Sequence, residues 1–294
     1  MSAISYYLFY VINWIITLLP LKVLYLFSDF LYFIFYYVIK YRKEVVRTNM
    51  KNAFPEKTET EIEAIMKKFY RHLSDLFIEV LKLTHMSADE LKRRFVIENP
   101  ELLARFKSEG RDIVAVLGHY NNWEWMTGLN FYTDYKCISI YKPQKNKYFN
   151  DFINKLRCRF GMNLTPMSLI IRELIINRKN GVNTLSAFIA DQIPAKGDIN
   201  YWTTFLNQET AVYLGAEKIA AKYNMVMVFF NHRKVKRGYY RMTVEVISED
   251  SASLPQYELT ERHVKMLDRI IRENPEYWIW SHRRWKHKRE PQNG

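Results

Sequence analysis

Apolar residues run almost without a break from position 4 to position 40, a density matched nowhere else in the chain. Pro20 divides this run into ISYYLFYVINWIITLLP and LKVLYLFSDFLYFIFYYVIKY. The first piece offers about sixteen residues before the proline, slightly short of the roughly twenty that cross a bilayer. Lys22 and Asp29 interrupt the second, and charge in hydrocarbon is costly enough to argue against a plain lipid-facing span. A single spanning helix and a shallow helical hairpin in one leaflet both satisfy the pattern, and a buried helix pair of a soluble protein is the third reading. A cleaved signal is not expected, because no basic leading region and no small-residue cleavage site are present. Arg42, Lys43 and Arg47 follow directly, which by the positive-inside rule puts the rest of the chain in the cytoplasm.

Beyond residue 41 the period becomes first helical and then mixed. Residues 58 to 83 read as an amphipathic helix opened by a capping box, Thr58 with Glu61, and Ser87 with Glu90 opens a shorter one over 87 to 94. Val96 and Ile97 start a strand, ENPELLARFKSEG a helix and DIVAVLGHY a buried strand, the order that builds a parallel sheet with crossover helices. Further strands are expected at 137 to 141, 184 to 190 and 225 to 231, with helices at 147 to 159, 168 to 180, 209 to 223 and 258 to 273. Residues 239 to 247 alternate and are expected to add an antiparallel edge strand. The expected fold is therefore α/β, one mostly parallel sheet flanked by helices. Residues 1–41 would form a membrane-anchoring helical segment and 42–294 the α/β domain.

Charge sharpens the choice of partner. Lys and Arg outnumber Asp and Glu by 44 to 31 in a chain of 294 residues, a formal net charge of +13, which favours anionic partners. Nucleic acid is not expected, since no helix-turn-helix, zinc-finger or aromatic RNA-binding signature occurs. A membrane together with a phosphorylated lipid accounts for both the charge and the apolar N-terminus. The two cysteines, Cys137 and Cys158, are too few for a disulfide scaffold and read as free thiols.

Candidate chemistry is narrowed by what is missing: no glycine-rich phosphate loop, no G-x-S-x-G elbow, no H-E-x-x-H helix and no C-x-x-C pair. No metal is expected. The informative stretch is LGHYNNWEW, residues 117 to 125. His119 stands at the carboxyl end of a strand, where open α/β sheets bind ligands. Glu124 falls in the first turn of the next helix, close enough to fold back and accept a hydrogen bond from the imidazole Nδ1–H. Such a bond would leave Nε2 as a general base, with a substrate hydroxyl in the place that serine holds in a triad. By spacing alone the pair reads equally well as a turn histidine and an acid favoured by a helix N-terminus.

A wider resemblance tips that balance. Histidine, four residues and an acid is the signature of the glycerolipid and lipid A acyltransferases, and the chain resembles the late acyltransferases of lipid A biosynthesis, the lauroyl and myristoyl transferases. GHYNNWEW, YKPQKN at 141 to 146, RCRFG at 157 to 161, ADQ at 190 to 192, FLNQETAVYLGAEKIAAKYN at 205 to 224 and PEYWIWSHRRWK at 275 to 286 carry it in order. Lys142 departs from it, standing where arginine is common and so offering phosphate a point charge instead of a fork. The resemblance implies acyl transfer from acyl carrier protein or coenzyme A, with no resident cofactor, to a hydroxyl of a lipid A precursor at the cytoplasmic face of the bacterial inner membrane. It implies His119 as base with Glu124 as its partner, and Lys142, Arg157, Arg159, Asp191, Gln192, Arg283 and Arg284 around the substrate. Trp278, Trp280 and Trp285, interleaved with Arg283, Arg284 and Lys286, suit an anionic interface or the substrate phosphate. Transfer to a lysophospholipid or aminolipid, and lipid binding without catalysis, stay open as alternatives.

Overall fold

The computed structural model describes residues 3–289. The apolar run breaks at Pro20 into α1 (Ala3–Ile16) and α2 (Leu21–Phe33), the latter continuing into a π-helical turn at Ile34–Val38. Leu21–Val38 is long and apolar enough to cross a membrane, whereas α1 is shorter. Leu21, Leu24, Tyr25 and Ser28 of α2 are buried, while Leu26 and Phe30 on the opposite side are 69% and 62% exposed. A helix apolar all round has one face for protein and leaves the other wanting a non-aqueous neighbour.

The buried face of α2 lies on α4 (Glu59–Lys82), whose start carries the expected capping box between Thr58 and Glu61. Polar bonds stitch the N-terminal helices to α4. Tyr25 donates to Glu79 Oε1 at 2.8 Å, Ser28 to Asp75 Oδ1 at 2.7 Å, and Lys82 Nζ to the Thr17 and Leu19 carbonyls at 2.8 and 2.9 Å. Gly238, at φ +72°, turns the hairpin that meets α2, and a Cβ there would collide with the Tyr25 hydroxyl.

Seven strands form one sheet: β1 (Phe95–Ile97), β2 (Ile113–Leu117), β3 (Lys136–Tyr141), β4 (Asn163–Pro166), β5 (Thr184–Ile189), β8 (Val226–Lys236) and β9 (Tyr239–Ser248), in the order β1-β9-β8-β2-β5-β3-β4. The five strands from β8 to β4 are parallel, and β9 runs antiparallel to β8. Two cores cover its faces. One joins α4 with α8 (Ile170–Lys179), α9 (Gly215–Tyr223) and α10 (Glu258–Glu273). The other joins α2 with α6 (Pro100–Ser108) and α7 (Lys147–Cys158).

Three expectations are corrected. The alternating strand β9 is not the edge, because β1 pairs outside it, parallel to β9. It follows that β1 runs against β2, so the helix between them is not a parallel crossover. Residues 209 to 211, expected in a helix, belong instead to β7 (Gln208–Ala211), which pairs with β6 (Trp202–Phe205), and α9 begins only at Gly215. Leu206 and Asn207 both have positive φ in that hairpin, as a two-residue turn that follows strand twist requires. The helix expected from Trp123 is present as a 3-10 helix, Trp123–Phe131, and β4 was not anticipated.

Candidate active site

The site grows from the end of β2, all of whose residues, IVAVL, are buried. Gly118 follows because nothing larger fits: a Cβ there would lie 2.7 Å from a Leu267 methyl of α10 and 3.2 Å from Asp191 Oδ2. His119 comes next, on a turn staked from several sides. The Ile279 amide donates to the His119 carbonyl at 3.2 Å, and Tyr120 forms an isolated bridge with Trp278. Asn121, at φ +55°, donates its amide to the Tyr277 carbonyl at 2.9 Å and its Nδ2 to the His232 carbonyl at 2.8 Å. Asn122 caps the 3-10 helix by accepting from the Trp125 amide, and its Nδ2 donates to Glu79 Oε2 at 2.8 Å. Glu79 thus touches both α2, through Tyr25, and the turn that bears His119.

The imidazole does not turn to Glu124. Its Nδ1 lies 2.6 Å from Asp191 Oδ1, while Asp191 Oδ2 accepts the His119 amide at 2.7 Å and the Trp278 indole N–H at 2.8 Å. Sheet register brings the two together: β2 and β5 are parallel neighbours with Leu117 opposite Ile189, and two residues further on stand His119 and Asp191. Burial raises the Asp191 carboxyl, but the imidazole charge, the two His119 donors and the Trp278 indole outweigh it and hold the group down to about 2. An ionised Asp191 can only accept, so Nδ1 carries the hydrogen and Nε2 is left toward the cleft. The Gln192 amide nitrogen is 3.4 Å from Nε2, and the Trp123 ring meets the imidazole edge-on at 4.8 Å.

Glu124 is engaged elsewhere. Arg157 grips it with Nε at 2.8 Å and Nη2 at 2.5 Å, and the Trp123 indole donates at 3.1 Å. Burial pushes Glu124 up, yet the Arg157 guanidinium more than offsets this and leaves the carboxyl below its ordinary value. This bidentate pair is a charged wall of the cleft, a few residues from the imidazole but not bonded to it.

The cleft itself encloses about 390 Å³, within the usual range for small-ligand sites. His119, Glu124, Arg157, Lys142 and Gln192 line it together, with Tyr213 just before α9 and Lys218 within it, neither of which sequence reasoning singled out. Most of its remaining lining is apolar, including Met126, Met162, Ile170, Phe188 and Ile219, with Thr127, Ser139 and Gln144 among them. Among the described residues no cluster of three or more His, Cys, Asp or Glu is arranged to hold a metal ion.

Four expected site residues lie outside this lining: Asp191, buried behind the imidazole, and three arginines. Arg159 caps the end of α4, donating to the Leu83 carbonyl and to that of Met86 at 2.5 Å. Arg284 is buried beside Thr210, its guanidinium lowered to about 10 by burial, and Arg283 is exposed. The tail tryptophans are likewise not at an interface. Trp278, Trp280 and Trp285 are buried and stack on one another and on Phe205. Of the three, Trp278 braces Asp191 from the core. Cys137 and Cys158 are free, as expected.

Comparison with known proteins agrees with this architecture. The family model of bacterial lipid A biosynthesis acyltransferases matches residues 1–287. A lipid A biosynthesis acyltransferase of Haemophilus influenzae is 19% identical over 247 residues, spanning 82% of this chain and 74% of that protein. With a match over almost its whole length, the chain belongs to the bacterial lipid A biosynthesis acyltransferase family.

Proposed function

We propose that the protein transfers a fatty acyl group from a thioester donor, acyl carrier protein or coenzyme A, to a hydroxyl of a lipid A precursor at the cytoplasmic face of the inner membrane. One observation carries this reading: an imidazole whose Nδ1 is held by a buried carboxylate presents Nε2 to a cleft with one polar and one apolar wall. The acceptor hydroxyl gives its proton to His119 Nε2, and its oxygen attacks the thioester carbonyl carbon. The C–S bond then breaks, and the departing thiolate takes the proton from the imidazolium. Asp191 stabilises that cation and fixes the ring, as the acid of a triad does. No acyl-enzyme forms.

Glu124 and Arg157 serve as a fixed, mutually neutralised wall against which substrate is placed, and not as the proton relay. Lys142 and Lys218, exposed at the mouth, meet phosphate on the acceptor or donor, and Gln192 is the nearest donor for the developing oxyanion. Arg159, Arg283 and Arg284 are left out of the binding set, the first and last because their guanidinium groups are already committed.

The test is an assay in detergent with labelled acyl carrier protein thioester or acyl coenzyme A and a tetraacylated lipid A precursor. Product from the wild type and none from His119→Ala supports the reading. Transfer only to a lysophospholipid or aminolipid would replace the acceptor, and no transfer to any acceptor from either donor would overturn the proposal.

A further inference from the structure

The cleft opens at the carboxyl edge of the parallel strands, and that edge is unusually greasy. Strands β3 and β4 end side by side, with Tyr141 opposite Pro166. From the first departs the loop Lys142–Asn146 and the start of α7, where Tyr148 and Phe149 are 37% and 43% exposed. From the second depart Met167, Leu169 and Ile171, each nearly half exposed. Met167 and Ile171, one helical turn apart, also line the cleft, so exposed apolar side chains of the edge reach into it. Toward the N-terminus it continues again: Tyr148 stacks on Tyr6 of α1 at 5.0 Å, and Phe9 meets Phe152 of α7 edge-on at 5.4 Å. Lys142, Lys145, Lys147 and Arg172 flank the apolar side chains and are exposed.

We propose that this rim, residues 148–149 and 167–171 with their flanking cations, is a second membrane contact that seats the mouth of the cleft on an anionic lipid surface. Apolar side chains ringed by lysine and arginine suit the boundary between headgroups and acyl chains. A purely electrostatic partner such as an acidic protein would use the cations but leave Phe149, Leu169 and Ile171 against water. Seated in this way, the rim lets a lipid acceptor slide from the bilayer into the cleft with its acyl chains never crossing water. The inference rests on reading the cleft as an acyl-transfer site for a lipid, but the surface is tested without activity.

Full-length protein with Cys158→Ser receives a nitroxide at Phe149→Cys or Leu169→Cys, with Leu26→Cys on α2 as a membrane-side reference and Val246→Cys on β9 as an aqueous one. Each is bound to vesicles of phosphatidylethanolamine and phosphatidylglycerol, and accessibility to oxygen and to a water-soluble nickel chelate is measured. The proposal expects labels at 149 and 169 to lose nickel accessibility to the extent that the label at 26 does, while the label at 246 keeps it. Nickel accessibility retained at both 149 and 169 beside a protected position 26 would overturn the rim. Protection that requires acyl carrier protein and not vesicles would also overturn it. Protected labels in a chain that transfers no acyl group would leave the rim standing and remove the acyltransferase reading.

Discussion

Two carboxylates flank one imidazole in this cleft, and they are kept ionised by different means. Glu124 is neutralised by a guanidinium fork from Arg157, a partner that never gives up its charge. Asp191 is held by three N–H donors, of which the imidazole can change charge during a reaction. A carboxylate already satisfied by arginine gains little from an imidazolium nearby, whereas Asp191 gains a full charge partner when His119 takes a proton. In the proposed reaction the acid that lies close in sequence is therefore a structural wall, and the acid 72 residues away is the one matched to proton transfer.

That difference can be broken from either side. The largest effect is expected for Asp191→Asn, which keeps the volume but removes the charge and the fixed tautomer. By the behaviour of triad acids, kcat should fall about 1,000- to 10,000-fold in the acyl-transfer assay, with the fold retained by circular dichroism. Glu124→Ala should act first on stability. It leaves the half-buried Arg157 guanidinium without its partner, at a cost below the roughly 3–5 kcal/mol of a fully buried pair, measured by denaturant unfolding.

Acid sensitivity comes next. Burial lowers His232 and His263 to about 4, against about 6.5 in an unfolded chain. Between those values the unfolded state binds more protons, so stability falls as pH drops from about 6.5 to about 4, by up to about 3 kcal/mol for each histidine. Asp191 has the depressed pKa of a paired carboxylate, so its contribution is present above about 4 and lost only as pH falls toward 2. His232→Gln or His263→Gln should flatten the upper window of a stability-versus-pH curve and leave the lower one in place. The smallest effect is expected for Trp278→Phe, which deletes one donor to Asp191 while keeping an aromatic ring among Phe205, Trp280 and Trp285. About 1–1.5 kcal/mol, or roughly tenfold in kcat, is the size of one such hydrogen bond.

Much of this was legible in the sequence because local signals and tertiary packing agree. The capping box at Thr58, the buried strand before Gly118 and the amphipathic pattern of α10 each announce themselves within one element. What escaped depends on adjacency between distant segments. Nothing in residues 111 to 125 says that β5 lies beside β2, yet that neighbour decides which acid meets His119. The pattern at Tyr239–Ser248 alternates as an edge strand does, and only the short strand Phe95–Ile97 covering it makes it internal. The tail tryptophans look interfacial among arginines, but their rings complete a core around Asp191. The hairpin at Trp202–Ala211 was masked by the helical pattern that follows it.

The apolar N-terminus carries a related lesson. Its composition is the one expected of a membrane anchor, while its contacts make it part of the packing: Tyr25 shares Glu79 with Asn122, in the turn that bears His119. Removal of residues 1–40 would strip buried Glu79, Asp75 and Lys82 of bonds they make with α2 and the corner before it. An unstable or aggregated product is expected, read by size-exclusion in detergent, and a monodisperse, active fragment would show a separable anchor instead.

The central claim, that Asp191 and not Glu124 fixes the catalytic imidazole, is tested most directly by nitrogen-15 NMR of the His119 ring above pH 8, assigned by loss of its signals in His119→Ala. The account predicts the Nδ1–H tautomer in wild type and in Glu124→Gln, and its loss or mixing in Asp191→Asn. A tautomer unmoved by Asp191→Asn but altered by Glu124→Gln would contradict it.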